Sequence, residues 1–190
     1  SVDVNSTNFT AYGSGGAASE LLTSDNPASC LYYKGRLFYA RTPLKGTTIW
    51  ASVAGDYENF LMTPVNDTSA LQFTIADIAQ PIEWLFGGDN SLIVGSAEGI
   101  VAVNGGSVGS PITAETVEAT LTSAEGCNTY QPIRKDGLLF YGGRESRNLY
   151  YFSYDLLTES FQAQDANIIS YDITFGGLSK LRYKKDRNDL

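Results

Sequence analysis

The chain has 190 residues, 43% of them hydrophobic and 18% charged, which is enough apolar material for a folded core and too little charge for a disordered chain. Thirteen Lys and Arg against 21 Asp and Glu leave a formal charge of -8, which argues against a general grip on nucleic acid. Histidine is absent, which excludes Ser-His-Asp and Cys-His catalysis and histidine-ligated zinc.

Residues 1–27 are small, polar and glycine-containing, with a helical turn expected near Ala17–Leu22, and they read as the end of an inserted domain. The first segment shows no charged-then-apolar leader, so the chain reads as a mature product or an excised fragment. Gly13-Ser14-Gly15-Gly16 follows no apolar strand, which makes a phosphate cradle a poor reading. From Cys30 onward the texture changes to short strands separated by turn residues. "SCLYY", "GRLFYA" and "TIWAS" come first, then Ala54-Gly55-Asp56 breaks the run with turn chemistry. Trp50, Tyr57 and Phe60 place aromatic bulk on either side of that break, and with Gly55 and Asp56 they form a structural corner. Strict alternation marks strands with one wet face at Leu71, Phe73 and Ile75, at Val117, Ala119 and Leu121, and at Ile169, Tyr171, Ile173 and Phe175. Long stretches of helical period are missing, so the class is all-β. No apolar run approaches the roughly 20 residues that a membrane-spanning helix needs.

Chemistry-bearing motifs are sparse. Gly105-Gly106-Ser107-Val108-Gly109 fits a nucleophile pattern on paper, but without a histidine or a strand-to-helix context it reads as a glycine turn. Cys30 and Cys127 could form one disulfide or stand as two buried free thiols. Asn5, Asn8 and Asn66 each open an N-x-[ST] triplet, of consequence only in a glycosylating pathway. No site for a metal or cofactor is read from the chain. Near its end, Lys180, Arg182, Lys184, Lys185 and Arg187 form a basic run, read as a solvated edge strand or as a contact with acidic neighbouring subunits or passing DNA.

A repeat underlies the strands. "GRLFYA" (residues 35–40), "NSLIVG" (90–95) and "GLLFYG" (137–142) share a turn pair, an apolar strand and a small-residue end. Each is followed by a second apolar strand ("TIWAS", "GIVAV", "LYYFSY") and preceded by a proline and a short segment ("SCLYY", "IEWLF", "IRK"). Leu37, Leu92 and Leu139 recur 55 and 47 residues apart, the spacing of four-stranded propeller blades, with a β-sandwich as the competing reading. Residues 28–190 are therefore expected to form a partial β-propeller of about three to four antiparallel blades. In such a fold Trp50, Tyr57 and Phe60 would plug a blade corner.

The order "GRLFYARTP", "TTIWASVAGDYENF", "ALQFTIAD", "IEWLFGGDNSLIVGSAEGIVAV", "QPI" and "DGLLFYGG" resembles the tail nozzle proteins of short-tailed bacteriophages, also called tail tubular protein B, and the related packaged-DNA stabilisation proteins. The resemblance spans about residues 27–185, and its most specific part is W-A-S-x-x-G-D-[FY]-x-N-F, Trp50 to Phe60. It implies a structural virion protein of the phage tail, assembled in the bacterial cytoplasm. Its partners would be identical subunits in a ring, a hexamer, together with other tail and adaptor proteins and DNA in passage during ejection. Family members are longer, which implies that this chain is a fragment of a larger subunit. The family offers no catalytic residues and no cofactor. Two other classes stay open: a carbohydrate- or receptor-binding β-domain that uses exposed tyrosines, and a glycoside hydrolase that would draw on Glu83, Glu98, Asp136 and Asp155.

Overall fold

The computed structural model describes residues 26–62, 65–107, 109–155, 160–168 and 171–183. The expected helical turn near Ala17–Leu22 lies outside them. Twelve strands follow in order: β1 (Ser29–Tyr33), β2 (Arg36–Ala40), β3 (Thr48–Ala51), β4 (Leu71–Thr74), β5 (Ile82–Gly87), β6 (Leu92–Ser96), β7 (Ile100–Asn104), β8 (Glu118–Ser123), β9 (Ile133–Lys135), β10 (Leu138–Gly142), β11 (Leu149–Asp155) and β12 (Ser160–Asp165). They form three four-stranded antiparallel sheets: β1 to β4, β5 to β8 and β9 to β12. Within each sheet, neighbours in sequence are neighbours in space. The fold is all-β, and the three copies of the sequence repeat supply the first three strands of the three sheets.

Local chemistry explains where the chain turns. Lys34-Gly35 and Asp136-Gly137 close the first hairpins of sheets 1 and 3, and all four residues hold positive φ (45°, 77°, 50° and 83°). Two left-handed residues in succession are the two-residue hairpin geometry that matches strand twist, and glycine takes the second place at no steric cost.

The inner strands of sheet 2, β6 and β7, are buried on both faces because they are apolar at successive positions, whereas β8 alternates and keeps an exposed face. Leu85, Leu92, Val94, Val101 and Val103 pack on Phe38, Ala40, Ile49, Ala51 and Leu71 of sheet 1. Trp84, Ile93, Ile100 and Ala102 face the other way, onto Leu139, Tyr141 and Phe152 of sheet 3. Adjacent residues of β6 and β7 thus serve opposite cores, as the pleat requires. Polar ties secure the junctions: Arg41 Nη1 donates to Glu83 Oε2 at 2.6 Å, and the Arg134 guanidinium pairs with Asp89. The second pair is exposed and contributes little to stability. The Cys127 amide donates to the Ser96 carbonyl at 2.8 Å, just as the Ile82 amide donates to Gly46 O at 2.9 Å one sheet earlier.

Gly95 lies against the Trp84 ring so closely that a Cβ there would stand 2.3 Å from it. Gly95→Ala is expected to cost about 1–3 kcal/mol through overpacking, read as a lowered melting midpoint. An unchanged midpoint would mean that the indole can swing aside.

Buried acidic groups make a second expectation. Burial, with Asp89 adding to it, pushes the Tyr33 hydroxyl from 10.0 up to about 12. Burial likewise raises the Tyr141 hydroxyl and the Cys127 thiol. All three are neutral in the folded state and ionise at lower pH in the unfolded chain. Their contribution to stability is therefore complete below the unfolded values and is lost as pH rises, for Tyr33 between 10.0 and about 12. Denaturant midpoints should begin to fall near pH 9.0, where the Cys127 thiol of the unfolded chain ionises, and go on falling across the Tyr33 window. A midpoint that is flat throughout would contradict this.

One expected strand is not a strand. Tyr171–Thr174 form a 3-10 turn, and Ile169 lies outside the described residues. Ile173 and Phe175 alternate with polar neighbours but point into solvent, 83% and 72% exposed. Asn167 dictates the local path instead. Its Oδ1 accepts the Leu149 amide, while its Nδ2 donates to Arg147 O and to Thr174 Oγ1 at 2.7 Å.

Candidate functional site

The corner from Trp50 to Phe60 opens the long connection between β3 and β4 and folds it back over sheet 1. Trp50 leaves β3 on the face turned away from sheet 2 and is 1% exposed, beneath Phe60 and Ala70 of the connection, with Leu37, Tyr39, Val53 and Met62 around it. It was expected as a buried part of a structural corner, and it packs beneath its own loop. Each remaining position of the motif has a local task. Ala51 faces the core shared with sheet 2, and Ser52 Oγ accepts the Leu37 amide at 3.0 Å. Gly55 holds φ 78°, and its amide donates to Gly35 O. The Asp56 amide closes a turn on Val53 O at 3.2 Å. Asn59 takes the Val53 amide on its carbonyl and the Leu61 amide on Oδ1. Phe60, 3% exposed, stacks on Tyr39 with ring centroids 5.5 Å apart.

Tyr57 departs from expectation. It is 42% exposed and meets the still more exposed Tyr32 edge-on, at 4.9 Å between centroids. The turn at Gly55-Asp56 carries it past the edge of the covered patch. These two tyrosines, with Leu37, Tyr39 and Phe60, line an open groove of about 440 Å³, and the carboxylates of Asp56 and Glu58 border it.

Arg36 is the residue that pattern reading passed over. It is 5% exposed, at the start of β2. Its Nη1 donates to Ser52 O at 2.7 Å and to Ser69 O at 2.6 Å, and its Nη2 donates to Asp67 O at 2.5 Å. One guanidinium thereby fastens both ends of the connection. Burial lowers its pKa, with the Asp67 charge pulling the other way. The available signal was a lone charge opening an apolar strand, at a place where the other repeats have Ser91 and Leu138.

The segment after the 3-10 turn is tied to sheet 3 and its β10–β11 connection. The Leu178 amide donates to Ser146 O at one end, and Lys135 Nζ lies 5.3 Å from the Tyr183 ring at the other. Lys180 and Arg182 are exposed along it; Lys184, Lys185 and Arg187 lie outside the described residues.

The carboxylates considered for hydrolysis belong to four different parts of the fold. Glu83 is taken by Arg41, Glu98 Oε2 accepts the amides of Ala79 and Gln80, and Asp136 sits in the β9–β10 turn at positive φ. Asp155 closes β11. The glycine-serine pattern at residues 105–109 lies in the β7–β8 connection, where Ser107 Oγ pairs with Ser110 Oγ at 2.6 Å. Both cysteines are free; Cys127 is buried but Cys30 is exposed, so the reading of two buried thiols holds for one of them. No helix among the described residues is long and apolar enough to cross a membrane. No protein-family model matches the chain, and no curated protein matches it.

Proposed function

We propose that the chain is a structural component of a phage tail, part of the nozzle through which DNA leaves, with its three sheets acting as successive blades of a β-propeller in a ring of identical subunits. The observation that carries this reading is the corner motif itself. Trp50, Ser52, Gly55, Asn59 and Phe60 each hold the connection that caps sheet 1, so the residues that carry the resemblance are the residues that build the corner. Sheet 2, whose inner strands β6 and β7 are buried on both faces, packs as a blade between blades would. The charge of -8 fits a conduit that must not retain a polyanion. The role is mechanical, without a catalytic group or cofactor.

Gold-labelled antibody against the chain should decorate the distal tip of the tail in electron micrographs of virions. Label on the capsid or on lateral fibres would overturn the reading. So would turnover of a polysaccharide by the purified chain that is lost on replacing Glu83 and Glu98.

A further inference from the structure

We infer that the cleft between sheets 2 and 3 binds a small α-amino acid with an apolar side chain, its carboxylate on Arg134 and its ammonium on Asp89. The inference goes beyond the tail reading, because it gives a ligand to a place which that reading does not use.

Strand register builds the cleft. Arg134, Leu139 and Phe152 are successive cross-strand partners in sheet 3, as Phe86, Ile93 and Ala102 are in sheet 2. The apolar members of the two rows share one core. They leave an opening of about 130 Å³, with Phe86, Ile93, Leu139 and Phe152 as apolar walls and the exposed Asp89 and Arg134 at its mouth. Apolar cavities of about 150 Å³ take up benzene, so one aromatic or branched side chain is an occupant of the right size. Ser91 borders the cleft as well, and its buried hydroxyl has no hydrogen-bond partner among the described residues. A mostly apolar lining with a few polar groups is the usual make-up of a small-molecule site.

The charges at the mouth select the rest of the ligand. The Arg134 guanidinium holds Asp89 through two bonds, Nη1 to Oδ1 at 2.7 Å and Nη2 to Oδ2. That fork is the geometry in which arginine takes up a free carboxylate. Asp89 is easily displaced from it, since it lies between β5 and β6 with its side chain 70% exposed, and an exposed pair contributes little to stability. A ligand carboxylate in its place leaves Asp89 without a cation. An ammonium on the adjacent carbon of the same ligand restores the balance. A simple acid or a simple amine meets one of the two charges. An α-amino acid meets both, and its side chain leaves the same carbon for the apolar walls.

Calorimetric titration of the whole chain separates the parts of the ligand. Phenylalanine should bind at least about tenfold more tightly than 3-phenylpropionate, phenethylamine or alanine, which lack the ammonium, the carboxylate and the ring in turn. Arg134→Gln and Asp89→Asn change exposed residues and should melt as the wild type does. Arg134→Gln should weaken phenylalanine at least about tenfold, the loss of a charge-assisted fork. Asp89→Asn should weaken phenylalanine yet strengthen 3-phenylpropionate, because the carboxylate that competes for Arg134 is gone. A residue that only braced the turn would not move the two compounds in opposite directions. The inference is overturned if phenylalanine does not bind at millimolar concentration, if all four compounds bind alike, or if either variant leaves the affinities unchanged. N-acetylphenylalanine binding as tightly as phenylalanine would assign the cleft to a peptide C-terminus and overturn it as well.

Discussion

Arg36→Met is expected to destabilise the fold by about 3–5 kcal/mol and to free the connection between β3 and β4. The side chain is 5% exposed and donates to three carbonyls, those of Ser52, Asp67 and Ser69. Hydrogen bonds from a charged donor contribute about 1.5–3 kcal/mol each, and the carbonyls left behind lose their donor in a place that water reaches poorly. The cost of desolvating the guanidinium works in the opposite direction, so the three contributions do not simply add. Methionine keeps the stem and removes only the donors. Arg36→Lys retains the charge but cannot span three acceptors with a planar fork, and should fall between wild type and Arg36→Met. Denaturant titration gives the magnitude, and limited proteolysis shows whether cleavage appears between residues 53 and 69. A loss below about 1 kcal/mol, the usual scale of an exposed pair, would mean that the guanidinium is replaceable by water.

Much of the architecture was legible because strands announce themselves by period and turns by residue type. The first three strands of each sheet fall on the three copies of the repeat. The class, the sheet count and the hairpins at Gly35 and Gly137 follow from the same signals. What failed was the inference from a side chain's character to its partner. Tyr57 and Phe60 are both aromatic and only three residues apart, yet one is exposed and the other buried. The turn at Gly55-Asp56 decides which faces the sheet, and aromatic content does not encode that. Alternation at Ile173 and Phe175 promised a strand, but alternation sets only which side chains share a face; a strand also needs an edge to pair with. Here Asn167 holds the chain in a turn. Arg36 escaped notice because a charge at the start of an apolar strand ordinarily points to solvent. Only the loop that returns to it turns the position inward, and that loop belongs to the first repeat alone.

The other large effect is expected at Trp50. Removing a fully buried large aromatic costs about 3–5 kcal/mol, and Trp50→Ala should show that loss in thermal and denaturant melts. Its indole Nε1 is buried and meets no acceptor among the described residues, so Trp50→Phe removes an unpaired donor as well as some volume and should cost much less than alanine. A midpoint unchanged by Trp50→Ala would place the corner at the surface. The loss should also be coupled to Arg36. Trp50 holds the connection from beneath through Phe60 and Ala70, while Arg36 holds its two ends through Ser52, Asp67 and Ser69. Once either grip is gone, the segment lifts, and the second grip has less to hold. The double variant Arg36→Met/Trp50→Ala should therefore lose less than the two single losses added together, by roughly 0.5–3 kcal/mol of interaction energy. Strict additivity would mean that the tryptophan and the arginine stabilise sheet 1 separately, and that the corner motif is two neighbouring features rather than one cap.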